Sequence, residues 1–393
     1  MRIGFMLLRV LAYFVPFAIN FLSGGFFFIT SYRFAEAKCP ALIVGGAVAA
    51  WGVAYCLTTL FIGKLVKNSN ALGFILAGGV LLSLTSSGFI IFFEHIYWQF
   101  YFLVLAGLGA ALFCTPFQLF AKKIESGKKS AGVVRATSFY TLTWSVGFAS
   151  GPLAFARLAP KNGFFITLVL ALMVTLSVII IALLVRGKND AAAVADEQNT
   201  GVSVNFSDKT FSRLAILGWV VGSAATIAVC QVRSMWPKLG EDLNVSRDHI
   251  AYVLAMVSYV QALTALLLCR SKCWMWKRLP ALLICCSGVL AMMLFAFSGK
   301  VCCFYLAALA YGIYSGCMYF CLVYHSLAHP KKSTFFVAGN EIVVGITSML
   351  SPLIGGMLAD VFKFTGVAFI FAAVVIAAAF VVQLWMLIPR KLD

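Results

Sequence analysis

The sequence predicts an all-α integral membrane protein of twelve transmembrane helices in two six-helix halves. Three observations carry that expectation. The 393 residues are 62% hydrophobic and only 11% charged, with a mean hydropathy of +0.99, more apolar surface than a soluble domain needs. The apolar residues gather in twelve runs, each long enough to cross a hydrocarbon core of about 30 Å as a helix. A single long polar segment, 187–212, parts the runs six and six.

In order, the runs cover 4–31, 40–63, 72–93, 96–121, 132–156, 163–185, 214–235, 249–269, 279–299, 301–328, 334–358 and 365–388. Helices are expected because unpaired backbone groups cannot face lipid, and the period-two alternation of a barrel strand is absent. The start, Met1-Arg2-Ile3, imitates a signal peptide. The run behind it is too long, and no small-x-small cleavage site follows, so it reads as a retained first span.

An even number of spans places both termini on one side. Sorted by loop, 21 basic residues fall on that side and 9 on the other. Basic loops stay in the cytoplasm, so both termini are expected there. The net charge of +17 is then a topology signal and an attraction to anionic lipid headgroups, not a nucleic-acid footprint. Short loops and a compact length suggest a bacterial inner membrane. The twelve cysteines fall mostly within or at the ends of apolar runs and read as small packing residues. No Cys-x-x-Cys, His pair or carboxylate cluster suggests a metal. No Gly-x-x-x-x-Gly-Lys-[Ser/Thr] loop is present to cradle ATP phosphates, and no cofactor is expected.

The polar segment reads as a flexible cytoplasmic linker. It separates an N-terminal bundle, 1–186, from a C-terminal bundle, 213–393. A shift of 200 residues lays Ser23-Gly24-Gly25 on Ser223-Ala224-Ala225, Arg33 on Arg233 and Pro152 on Pro352. The register slips elsewhere: Gly63-Lys64 best matches Cys269-Arg270, at a shift of 206. Span five carries Gly147-x-x-x-Gly151-Pro152, and span eleven carries Pro352-Leu353-Ile354-Gly355-Gly356. The loop after span two reads Gly63-Lys64-Leu65-Val66-Lys67-Asn68-Ser69-Asn70.

This organisation resembles the major facilitator superfamily across essentially the whole chain. The family's fifth-span motif is Gly-x-x-x-Gly-Pro-x-x-Gly-Gly, and here Phe155 and Ala156 stand where its last two glycines belong. Its loop motif is Gly-x-x-x-Asp-Arg-x-Gly-Arg-Arg. Here Lys67 stands where the acid belongs and Asn70 where the second glycine belongs. That acid pairs with basic groups and helix ends across the two halves, so this chain must build its gate differently. The resemblance implies a monomeric secondary transporter that moves a small organic solute by alternating access. Gly63, Gly147, Gly151, Pro152, Pro352, Gly355 and Gly356 become its gating and helix-packing candidates. Small residues let helices of opposite halves approach, and proline frees a backbone bond.

Charges within spans are costly and therefore informative. Glu341 lies about two turns into span eleven and shares a helical face with Gly345, Ser348 and Pro352. It is a candidate proton-coupling carboxylate or a site for a cationic substrate; the alternative is a structural partner for a neighbouring helix. Arg33 and Arg233 either bind an anionic substrate from both halves or snorkel to the interface. His325 could relay protons, although a loop-edge histidine is the simpler reading. Asn20, Gln118, Tyr140, Trp144, Gln231, Gln261, Tyr314, Tyr319 and Asn340 occupy spans that line the cavity in the resembled family, and are the substrate-binding candidates. Aromatic walls with a few amides suit sugars, nucleosides or amphipathic organics. Two alternatives stay open: efflux of drugs or other hydrophobic compounds by antiport, and a non-transporting receptor or scaffold on the same fold. An integral-membrane enzyme would need a catalytic cluster at an interface, and the acids and histidines here are scattered, so no enzyme is expected.

Overall fold

The computed structural model describes residues 2–66, 69–125, 131–158, 160–186, 208–268, 273–329 and 332–387. Most of the expected linker, Lys67 of the loop motif, Cys269 and the C-terminal Arg390 and Lys391 lie outside the described residues. The described residues form twelve long helices and one short 3-10 turn. The first half holds α1 (Arg2–Glu36), α2 (Ala41–Leu65), α3 (Ala71–Ile91), α4 (Trp98–Glu125), α5 (Ala131–Arg157) and α6 (Pro160–Arg186). The second holds α7 (Asp208–Asp242), α8 (Arg247–Leu268), α9 (Arg278–Phe297), α10 (Val301–Ala328), α11 (Ser333–Phe362) and α12 (Val367–Met386).

Eleven of these helices are long and apolar enough to cross a membrane. The chain is thus a multi-pass membrane protein. The exception is α5, which is 27 residues long but interrupted by Thr137, Ser138, Thr141 and Ser145. All four of those side chains are buried, and α5 packs against α1, α4, α8 and α10. A helix shielded by protein can carry hydroxyls that a lipid-facing helix cannot. Elsewhere large apolar side chains stand exposed, among them Phe61, Leu84, Leu183, Val381 and Trp385, as a lipid-facing surface requires.

The helix ends correct the register of the internal repeat. Helix α1 ends at Glu36 and α7 at Asp242, 206 residues apart. The turns that follow are built alike. Lys38 and Asn244 both adopt left-handed backbone, at φ 56° and 55°. Cys39 N reaches Phe34 O at 3.0 Å, and Val245 N reaches Gly240 O at 2.8 Å, each closing the helix by the six-to-one bond of a Schellman cap. A shift of 206, not 200, therefore relates the first hairpins of the halves. Arg33 and Arg233 are not equivalent: Arg33 is in the last turn of α1, whereas α7 continues beyond Arg233 to Asp242.

Two seams join the halves, α2 against α11 and α5 against α8, with smaller contacts of α1 and α2 with α7 and of α5 with α10. We call the end where α1 and α7 begin basal, and the end where they finish distal. The chain's last helix returns to the basal end, where Arg213 Nη2 donates to Met386 O at 2.5 Å.

Candidate functional site

Glycine builds the α2–α11 seam. A Cβ on Gly52 would lie 2.5 Å from Met349 N, one on Gly345 would lie 2.7 Å from the Cα of Cys56, and one on Gly356 would lie 2.6 Å from Ala41 O. Gly45 faces Pro352 O with no space for a side chain. Towards the basal end, Gly63 approaches the Cβ of Ala338. The face of α11 that carries Glu341, Gly345, Ser348 and Pro352 is therefore largely the face turned to α2. At the distal end Asp360 of α11 accepts from Ala41 N and Leu42 N, both at 2.9 Å. The residue preceding α2 is Pro40, and no side chain of its own hairpin caps the helix. Asp360 satisfies those first N–H groups from the other half.

The α5–α8 seam uses side chains. Gln261 Nε2 donates to Ser145 Oγ at 2.6 Å, and Ser150 Oγ and Tyr259 Oη are 3.2 Å apart. Nearer the distal end Arg157 bonds Tyr252 Oη, and Arg247 donates to Phe155 O.

Gly147 and Gly151 do not belong to either seam. A side chain on Gly147 would strike Phe17 O, and one on Gly151 would strike Phe21 O, so both face α1 of their own half. The expectation that they bring opposite halves together is corrected here. Gly355 likewise meets Gln231 of α7, within its own half.

Between the seams lies a cavity of about 880 Å³. Its lining comes from α1, α2, α4, α5, α7, α10 and α11, so both halves contribute, and α3, α6, α8, α9 and α12 supply no lining residue. Six of the nine substrate-binding candidates line it: Asn20, Gln118, Tyr140, Trp144, Tyr319 and Asn340. Trp144 of α5 meets Tyr319 of α10 edge to face, with ring centroids 5.2 Å apart, closing the wall across the halves. Asn340 is already engaged by its own half: its Oδ1 accepts from Trp219 Nε1 at 2.7 Å and from Ser326 Oγ at 2.8 Å.

The other three candidates are elsewhere. Gln231 ties α7 to α11 by donating to Ser351 O at 2.6 Å. Gln261 belongs to the α5–α8 seam. Tyr314 is packed beside Tyr311 and over Gly288, away from the cavity. Their amide and hydroxyl groups resemble those of lining residues in sequence, and only the rotation of each helix separates the two classes.

Glu341 lines the cavity and is 7% exposed. Tyr55 Oη donates to its Oε2, and Gln118 Nε2 donates to its Oε1. Gln118 Nε2 also lies 3.5 Å from Tyr140 Oη. The carboxylate belongs to the second half and both donors to the first. Among the described residues no basic group lies within ion-pair distance of it.

Sequence reading missed several lining residues. Tyr55, Trp51 and Cys114 looked like ordinary span residues. Arg33 and Arg233, treated as a pair, part company. Arg33 Nη1 donates to Phe93 O at 2.8 Å within its own half. Arg233 lines the cavity, its guanidinium 3.8 Å from the centre of the Phe148 ring. His325 is buried in the last turn of α10 against Tyr324 and does not line the cavity.

No family model matches the chain, and no curated protein matches it by sequence. Solved structures do match, 270 chains of them, so the likeness does not hang on one pairing. One is the crystal structure of the nucleoside transporter NupG, with a TM-score of 0.61 and 11% identity over 98% of this chain and 100% of that one. Shared architecture at so low an identity is a likeness of fold: this chain is built on the same twelve-helix, two-bundle framework as that transporter.

Proposed function

We propose that this protein is a secondary transporter that carries a small organic solute through the central cavity by alternating access, with Glu341 as its coupling group. One observation supports this above the others. The cavity lies between the two halves, and its one buried carboxylate is held by hydrogen bonds from the opposite half. In this reading 1–186 and 213–393 rock as two bodies joined by 187–212. The basal end is cytoplasmic, the side that an excess of basic residues favours, in a bacterial inner membrane, and the protein acts as a monomer. Gly63, Pro352 and Gly356 lie on the α2–α11 seam about which the halves turn, whereas Gly147, Gly151 and Gly355 hold close helix contacts within each half.

Hydrogen bonds to an ionised carboxylate are about twice as strong as those to a neutral acid. Protonating Glu341 therefore weakens the clasp that Tyr55 and Gln118 make on α11, and the halves part more readily. The aromatic wall with amides beside it fits a ring-bearing solute, and the structural neighbour is a nucleoside transporter.

The native Cys114 on the cavity wall supplies the test. In a chain cleared of its other cysteines, an impermeant maleimide should reach Cys114 from one membrane face. Solute should shift that reactivity to the other face. Reactivity confined to one face under every condition would sink alternating access. In proteoliposomes, Glu341→Gln should still exchange solute but lose accumulation driven by a pH gradient; equal accumulation by variant and wild type would remove Glu341 from coupling.

A further inference from the structure

The charges in the cavity are handled unequally. Two charged side chains line it, Glu341 and Arg233. The carboxylate receives two hydrogen bonds from neutral donors. The guanidinium has five N–H groups and, among the described residues, neither a hydrogen bond nor a carboxylate within ion-pair distance; its contact is the face of Phe148. A cation at membrane depth is expensive without a counter-charge, and a ring face offsets only part of that cost.

The neighbouring donors are unfilled too. Trp51 Nε1 is buried and has no acceptor, and Trp144 makes no hydrogen bond among the described residues. Trp51 and Arg233 flank one aromatic group: Phe27 lies edge-on to Trp51 at 5.2 Å and stacked with Phe148 at 6.2 Å. Two aliphatic hydroxyls that line the same cavity are spent, Ser23 on Ile19 O and Thr226 on Gly222 O. The site thus offers cationic and neutral donors beside flat apolar faces.

Resting on the transport reading above, we propose that the solute is an organic anion with a flat apolar body, its carboxylate seated on Arg233 and its ring against Phe27, Phe148 and Trp144. A carboxylate accepts two parallel bonds from a guanidinium, and it supplies the counter-charge that the protein lacks there. Phe27 and Phe148 also line a smaller chamber on the distal side, of about 340 Å³, which Arg233 reaches as well. A bound anion would therefore lie where the central cavity narrows towards the distal end.

The test uses one ring with three heads. Purified full-length protein is titrated at neutral pH with indole-3-acetate, indole-3-acetamide and tryptamine, and melting temperature and Trp fluorescence are read. The acid should bind about tenfold or more tightly than the amide or the amine. Arg233→Gln should lose that preference, and Arg233→Lys should keep part of it. The ligand-free melting temperature of each variant shows that it is folded. The proposal is overturned if acid and amide bind alike, if tryptamine binds best, if none of the three binds, or if folded Arg233→Gln retains the preference. Cys114 labelling separates the two readings. A neutral solute that shifts its accessibility while the acid does not would reject the anion and leave the transporter standing.

Discussion

Along α2 and α11 the halves meet backbone to backbone, whereas along α5 and α8 they meet through polar side chains. In the first seam Gly45, Gly52, Gly345 and Gly356 leave no space for an added carbon. In the second, Ser145, Ser150 and Arg157 bond Gln261, Tyr259 and Tyr252. The materials impose different behaviour. Close backbone contact fails as a unit, because one added methyl forces two helices apart. Discrete hydrogen bonds can be surrendered one at a time, and those near an opening can be exchanged for water. The glycine seam therefore suits a fulcrum, and the polar seam suits an edge that opens and closes.

Substitutions along the seams can break or sharpen that contrast. Gly52→Val should be the most damaging, because its Cβ would meet the backbone of Ser348 and Met349. Overpacking of this kind costs about 3 kcal/mol, read as a fall in thermal unfolding midpoint in detergent. If Gly52→Val cost less than a single side-chain deletion in the α5–α8 seam, the contrast would fail. Glu341→Ala should follow at about 2 kcal/mol, because Tyr55 and Gln118 lose their acceptor inside the protein. Glu341→Gln should cost less, since an amide oxygen still accepts. An equal loss for both variants would point to packing rather than hydrogen bonding.

Gln261→Ala removes a buried bond to Ser145 and should cost about 1 to 2 kcal/mol. Asp360→Ala should cost about 1 kcal/mol, the usual value of a helix N-cap. It should also raise labelling of cysteines placed at the distal end, and unchanged labelling there would deny Asp360 a role in closing that end. Arg157→Gln lies at the exposed edge of the polar seam and should leave the melting temperature unmoved.

The missing acid at Lys67 takes on meaning beside these seams. The loop pattern implied that the lock across the halves is built differently, and Asp360 is an acid that does cross them, capping α2 from α11 at the distal end. Nothing in the sequence marks it, because a single aspartate at the end of a span looks like an interfacial residue. Its partners are two backbone N–H groups 318 and 319 positions away.

The site was legible in part for a related reason. Residue type and span number singled out Asn20, Gln118, Tyr140, Trp144, Tyr319 and Asn340, and all six line the cavity, as does Glu341. They did not exclude Gln231, Gln261 and Tyr314, because a buried amide or phenol that serves a helix contact reads as one that serves a ligand. Arg233 was misjudged through the repeat: a register of 200 placed it level with Arg33, and the helix ends require 206.

By itself the sequence determined the membrane class, the helix count, the division into halves and the presence of one acid deep in span eleven. Those follow from hydrophobic length, charge position and chain order, which are properties of single segments. Only the tertiary structure decided which face of each helix meets which neighbour. That rotation sent Gly147 and Gly151 to their own half, gave Glu341 two donors from the other, and left Arg233 facing the cavity without a counter-charge. Contacts between segments hundreds of residues apart depend on how whole helices pack, and local composition carries no record of it.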